Sequence, residues 1–408
     1  MLSYRQGMLY ADDVSVEALA SKFGTPLYIY SEKQLLNNYR SFESVFASVP
    51  HMVCYAVKAN SNGAVLKTLA AAGAGADITS GGELFRVLKA GFPARKIVYA
   101  GIGKTEAEIE YALRENIFMF NIESLEELEL MNRTAARLKK RARIAFRINP
   151  HVDPHTHHYI TTGKSGVKFG IPYADALKVY KRAAGLSNID VAGIHSHIGS
   201  QITAAGPFKL AARRIAEIVR RLSKAGITLS HVDLGGGLGI RYSKETPPTP
   251  AQLRDAVLPE FPFFKGTFVF EPGRYIVGNA GILVAGVIYR KTAGGRNFLI
   301  VDAGMNDLIR PTLYEAYHEI AAVSGTSRKK IKADVVGPIC ETGDFLGKNR
   351  LLPRLAQGER LAVQCAGAYG FAMSSQYNSR LRAAEVMVSG ASHRLIRRRE
   401  KYTDLELS

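Results

Sequence analysis

Lys58 closes a short apolar run, Val53-Cys54-Tyr55-Ala56-Val57, and is followed by Ala59-Asn60. Such a run reads as a buried strand. An ammonium group at the end of one is rarely buried unless it is paired or chemically used. In a desolvated site its pKa falls, more of it is free amine, and that amine can form a Schiff base. A surface lysine at a strand end is the plainer alternative. Further along stand His195-Ser196-His197-Ile198-Gly199-Ser200, the glycine loop Gly235-Gly236-Gly237-Leu238-Gly239, and Glu271-Pro272-Gly273-Arg274. Glycines let backbone N–H groups approach a phosphate closely, and the alternative is an ordinary flexible turn. Ser200 and Arg274 would add a hydroxyl and a cation to the same phosphate. One imidazole of the histidine pair would stack on an aromatic ring while the other serves as a core histidine. A metal is not expected there, because no further Cys or His cluster stands nearby. The Glu271 carboxylate would hold a pyridine nitrogen protonated, since an opposite charge favours the cationic ring; the alternative is a salt bridge to Arg274. Lysine, phosphate loop, stacking residue and acid together constitute a pyridoxal phosphate site.

These residues need a scaffold that presents them together. Short apolar runs at 53–57, 76–79, 97–99, 118–120, 144–148, 191–195, 232–234 and 267–270 alternate with amphipathic segments such as 123–139 and 207–225. In the first of those segments Leu125, Leu128, Met131 and Ala135 recur at helical spacing. Strand–helix alternation of this kind predicts a closed (β/α)8 TIM-type barrel, with an open doubly wound sheet as the runner-up. In a barrel the active site lies at the C-terminal strand ends. Lys58, Asp77, His195, His197, the glycine loop and Glu271 all fall at such places. After Glu271 the texture changes to strands with few long helices, which predicts a mostly β domain, a β-barrel or sandwich. The expected division is 27–275 for the cofactor-binding barrel, and 1–26 with 276–408 for the β domain. Tyr28-Ile29-Tyr30 reads as a strand that joins the β domain's sheet, and 241–250, rich in proline, reads as a loop.

The chain has 408 residues, 47% hydrophobic and 22% charged, as in a soluble globular protein. There is no apolar stretch long enough to cross a membrane and no signal-like N-terminus. Three scattered cysteines exclude a disulfide scaffold and point to a reducing, cytoplasmic setting. The net charge of +18 comes from 54 Lys and Arg against 36 Asp and Glu. Its basic runs, among them Lys139-Lys140-Arg141, are dispersed and accompany no nucleic-acid motif, so a solvated surface is the expectation and a polyanion partner the alternative. In the C-terminal part, Cys340-Glu341-Thr342-Gly343-Asp344 sets a thiol beside acids, where it could donate a proton; the alternative is a small buried hydrophobe.

Taken together, the motifs resemble those of the diaminopimelate decarboxylases, within the alanine racemase-like (fold type III) pyridoxal phosphate enzymes. The resemblance runs through Tyr55-Ala56-Val57-Lys58-Ala59-Asn60, Ser80-Gly81-Gly82-Glu83, residues 155–163, His197-Ile198-Gly199-Ser200-Gln201, Gly235-Gly236-Gly237, Glu271-Pro272-Gly273-Arg274, residues 310–318, Cys340 to Asp344 and Met373-Ser374-Ser375-Gln376-Tyr377-Asn378. It implies that Lys58 is the Schiff-base lysine and Cys340 the proton donor. It implies that His197 stacks on the cofactor ring, that Glu271 pairs with its nitrogen, and that Ser200, Gly236, Gly237, Gly273, Arg274 and Tyr369 lie about its phosphate, with Asp77 also in the cofactor set. Arg274, Arg310, Tyr314, Glu341 and Tyr369 would bind substrate. The implied reaction is decarboxylation of meso-2,6-diaminopimelate to L-lysine, by a homodimer with shared active sites. An arginine suits a substrate whose distal end carries a carboxylate. The alternatives are decarboxylation of ornithine, arginine, lysine or carboxynorspermidine, and a regulatory homologue without activity.

Overall fold

The computed structural model describes residues 1–153, 168–325 and 327–406. The motif at 155–163 lies outside the described residues. The chain folds as two compact units, 39–240 with 246–275, and 1–38 with 241–245 and 276–408.

The first unit is built from the apolar runs. Strands His51–Ala56, Gly75–Ile78, Ile97–Tyr99, Met119–Ile122, Ala142–Asn149, Ile189–His195, His231–Asp233 and Thr267–Phe270 pair in parallel in chain order. Phe268 then pairs back with His51, which closes the barrel and excludes the open sheet. The strands are buried on both faces, one against the interior and one against helices, so they read as continuous apolar runs rather than alternating ones. Cys54, Val98, Met119, Ala145, Ala192 and Val269 form one fully interior cluster. The covering helices have the caps their sequences offer. Thr105 and Glu108 form a reciprocal capping box at the start of Glu106–Glu115, and Gly91 ends Gly81–Ala90 in the left-handed region. The long helix Gly206–Lys224 buries Phe208, Ile215 and Leu222 on one stripe, each contributing ~1.5–3 kcal/mol. The proline-rich stretch is a loop only up to Thr249. Pro250 opens a helix, Pro250–Val257, because Thr249 caps it with Gln252 and proline suits its first turn.

The second unit is mostly β. Leu27–Ser31 runs antiparallel to Gly281–Ala293 and parallel to Ala384–Ser389, so it belongs to this unit, which takes in residues 1–38, and not to the barrel. Gly281–Ala293 continues to Arg296–Val301, then to Lys330–Val336 and Phe345–Pro353. Tyr28, Tyr30, Leu283, Val301, Leu346 and Val363 pack in its core.

Candidate active site

The barrel brings its polar residues together at the C-terminal strand ends. Lys58 sits in the single turn Val57–Ala59 that follows the first strand, and its Nζ lies 2.7 Å from Asp77 Oδ2. Asp77 is fully buried. Burial, with the Glu271 charge nearby, raises its pKa to about 7, although Lys58 opposes the shift. Gly273 packs against this turn, where a Cβ would stand 3.0 Å from those of Ala56 and Ala59.

Glu271 follows the eighth strand and is buried. It forms no salt bridge to Arg274. Its Oε1 accepts from Asn121 Nδ2 at 3.1 Å, and its Oε2 lies 3.2 Å from His195 Nε2. Burial pulls the Glu271 carboxyl up, but His195, Lys58 and a hydrogen bond from Asp233 outweigh it and hold the group well below the usual carboxylate range. Asp233 behaves in the opposite way. Burial and the adjacent Glu271 charge push it well up. Two carboxylates so placed cannot both ionise, so Asp233 keeps the proton and Glu271 the charge. His195, Asp233 and Glu271 present atoms within 4.8 Å of one another, a grouping of metal-ligating types that this hydrogen-bond network already uses.

The glycine loop is shaped by its neighbours. Gly235 and Gly237 have φ of 65° and 109°, and a Cβ on Gly236 would run into the Glu271 carbonyl oxygen. The Gly236 N–H donates to His197 Nδ1 at 3.1 Å, which fixes the edge of that ring. Burial, then the charges of Arg147 and Lys58, hold the His197 pKa well below its usual value, so the ring is neutral. Of the two histidines, His195 is the buried one that serves the acid, and His197 is half-buried. Arg274 donates to Ser200 Oγ from Nη2 at 3.0 Å and from Nε at 3.3 Å, so the predicted phosphate donors stand together.

Asn121 and Asp233 were not singled out from sequence. A polar residue inside an apolar run, as in Met119-Phe120-Asn121-Ile122, was the available signal. Their partners lie 112 and 150 residues from Asn121, beyond the reach of any local pattern.

The site fits pyridoxal phosphate. Asp77 Oδ1, Asn121 Oδ1, His195 Nδ1 and Ser196 Oγ are buried without a hydrogen-bond partner among the described residues, which suits a polar guest. An ionised buried carboxylate calls for a cation, and a protonated ring nitrogen is one. Residues 32–278 match the family described as pyridoxal-dependent decarboxylase, pyridoxal binding domain. The chain is 50% identical over 402 residues to a diaminopimelate decarboxylase of Aquifex aeolicus, covering 98% of this chain and 95% of that one. It is 49% identical over 404 residues to the enzyme of the same name from Haemophilus influenzae, covering 98% and 97%. The chain belongs to the diaminopimelate decarboxylase family. A crystal structure of the diaminopimelate decarboxylase of M. jannaschii in co-complex with L-lysine superposes with a TM-score of 0.95 at 39% identity, covering 99% of this chain and 96% of that one.

Like its diaminopimelate decarboxylase relatives, the chain has a second unit, and that unit holds the remaining predicted residues. Arg310 is buried at the start of the short helix Arg310–Tyr314. Its Nη1 lies 2.8 Å from His318 Nε2, and its guanidinium lies 4.6 Å from the Tyr242 ring centre. Tyr314 closes the same helix and is half-buried. Cys340 is exposed, not a buried hydrophobe, and its N–H donates to Asn378 Oδ1 at 2.9 Å. Glu341 is exposed beside it, and the Tyr369 backbone is left-handed, with φ of 56°.

Proposed function

We propose that this protein is a pyridoxal phosphate-dependent carboxy-lyase that converts meso-2,6-diaminopimelate to L-lysine and carbon dioxide, the last step of lysine biosynthesis. The observation that carries this reading is the ionised, buried Glu271 in the same barrel mouth as Lys58, in a chain about half identical to diaminopimelate decarboxylases along its length. Bound pyridoxal phosphate supplies an electron sink for the pair left behind as carbon dioxide departs. Lys58 provides the amine that holds the cofactor, and Asp77 positions that amine. Glu271 keeps a proton at the ring nitrogen, with Asp233, Asn121 and His195 keeping Glu271 ionised. His197 stacks on the ring. Ser200, Gly236, Gly237, Gly273 and Arg274 take the phosphate.

To Arg310, Tyr314, Glu341, Arg274 and Tyr369 we assign the substrate, with Tyr369 also touching the cofactor, and to Cys340 the return of a proton. We further assign a homodimer with shared sites, working in the cytoplasm. No described helix is long and apolar enough to cross a membrane.

The deciding experiment measures carbon dioxide released from meso-diaminopimelate, ornithine, arginine, lysine and carboxynorspermidine by the purified holoenzyme. Meso-diaminopimelate should have the highest kcat/KM. A higher value for any of the others, or no release from meso-diaminopimelate, refutes the assignment.

A further inference from the structure

The opposite end of the barrel, where strands begin, gathers positive charge. Arg95 precedes the third strand, and Lys140, Arg141 and Arg143 lead into and begin the fifth, Ala142–Asn149. These four cations line a cavity of about 360 Å³ floored by Phe118 and Phe120, and no acid is among its described lining residues. The volume lies within the range of small-molecule sites, ~300–1,000 Å³.

Most of this charge is not cancelled locally. Lys140 Nζ reaches Leu113 O at 2.6 Å and Asn116 Oδ1 at 2.7 Å, both neutral acceptors. Arg141 Nη2 donates to the carbonyl of Ile189 at 2.8 Å. Arg95 is exposed and has no carboxylate partner among the described residues. Arg143 has one acid nearby, Asp190 at 3.8 Å, beyond hydrogen-bond range. Its Nε is buried and without a hydrogen-bond partner among the described residues, while its guanidinium lies 5.0 Å from the Phe118 ring centre. The field reaches further. His231, packed edge-on against Phe118, is lowered to about 4 by burial and then by Arg143. Like charges held together around a low-dielectric floor repel one another, and an anion between them removes that cost. Guanidinium forks match phosphate oxygens in particular.

We propose that this cleft is a second binding site, separate from the cofactor phosphate site, for a small phosphate-bearing anion. It accounts for Lys140 and Arg141 of the Lys139-Lys140-Arg141 run, which the decarboxylase chemistry leaves unused. The Ser200–Arg274 pair stands at the other ends of the strands and is filled in the holoenzyme by the cofactor's own phosphate.

The test is calorimetric titration of the holoenzyme in phosphate-free buffer. Pyrophosphate and a nucleoside diphosphate serve as separate titrants. Saturable binding at one site per chain, weakening as salt rises, is expected. Tighter binding of the nucleotide identifies a ligand whose base covers Phe118, and equal binding identifies a bare phosphate ligand; either supports the site. Arg95→Glu and Arg141→Glu, both at exposed positions, should each weaken pyrophosphate by at least ~10-fold while decarboxylation continues, which also reports that the variants fold. Lys330→Glu makes the same charge change in the β unit, and should shift the Kd by less than about two-fold. Absence of saturable binding overturns the proposal. So does an equal loss in Lys330→Glu, which would mean diffuse attraction to a basic surface, or binding that Arg95→Glu and Arg141→Glu leave intact.

Discussion

Asp233 and Glu271 share one donor: Asn121 Nδ2 lies 3.0 Å from Asp233 Oδ2 and 3.1 Å from Glu271 Oε1. A second donor, the Gly235 N–H, holds Asp233 Oδ1 at 2.9 Å. The amide therefore ties a protonated carboxyl to an ionised one at the floor of the site. Asn121→Ala removes the shared donor from two buried acceptors. It should cost about 1–3 kcal/mol of stability in the cofactor-free protein and lower kcat. Urea unfolding checks the first and carbon dioxide release the second. A wild-type urea midpoint would show that the acids do not depend on Asn121.

Glu271→Gln keeps the shape and removes the charge. The phosphate contacts assigned to Ser200 and Arg274 are untouched, so the cofactor should still bind, with its Kd raised only a few-fold. The rate should fall by two orders of magnitude or more, on the order of what a positioned acid–base group supplies. Cofactor titration by absorbance and steady-state kinetics separate the two effects. An unchanged kcat would mean that the ring nitrogen does not answer to Glu271.

Asp77 gives a pH signature. Its folded pKa of about 7 stands above the ~3.9 of an unfolded aspartate. A carboxyl raised in this way favours the fold fully below ~4, and that contribution is lost as pH rises through 7. Between those limits the cofactor-free wild type should lose stability relative to Asp77→Asn. Urea midpoints of the two proteins at a series of pH values measure the difference. A gap that stays flat from pH 4 to 7 would place the Asp77 pKa near its ordinary value.

The barrel was legible because a strand covered on both faces reads as a mostly apolar run, even where Asp77, Asn121, Arg147 or Asp233 interrupts it. Strand ends then located Lys58, His197 and Glu271 without any distance information. Phe345–Pro353 is hard to read from sequence because Lys348, Asn349 and Arg350 interrupt it, and Asn349 takes a left-handed backbone, φ of 56°, in mid-strand. Such an edge faces water on one side and shows no apolar run. The proline cluster before Ala251 concealed a helix start for a related reason: proline breaks a helix interior but suits its first turn. The Asn121–Asp233–Glu271 network was not legible, because closure of the barrel, and not chain proximity, sets those contacts.

Lys58→Ala should abolish decarboxylation and leave the fold intact, since the Lys58 side chain is 37% exposed. Borohydride should fix the cofactor covalently to the wild type and not to the variant, as mass spectrometry of the intact chains would show. Wild-type turnover by the variant without added amine would remove Lys58 from its assigned role.

Cys340 tests the proposed sharing of sites between chains. The thiol is exposed, in a loop whose Asp344 accepts from the backbone N–H groups of Met305 and Ile339 at 2.6 and 2.7 Å. A loop pinned in this way can present a thiol in a fixed position. If that position belongs to the site of a second chain, Lys58→Ala and Cys340→Ala should complement each other. A mixed dimer then has one site in which both residues are intact and one in which both are lost. At random exchange about half of the dimers are mixed, so roughly a quarter of wild-type activity should return. If Cys340 serves its own chain, a mixed dimer has no intact site and activity stays at the level of the separate variants. Subunit exchange must be followed independently, by native mass spectrometry of differently tagged chains. An inactive mixture in which mixed dimers are seen would rule out shared sites.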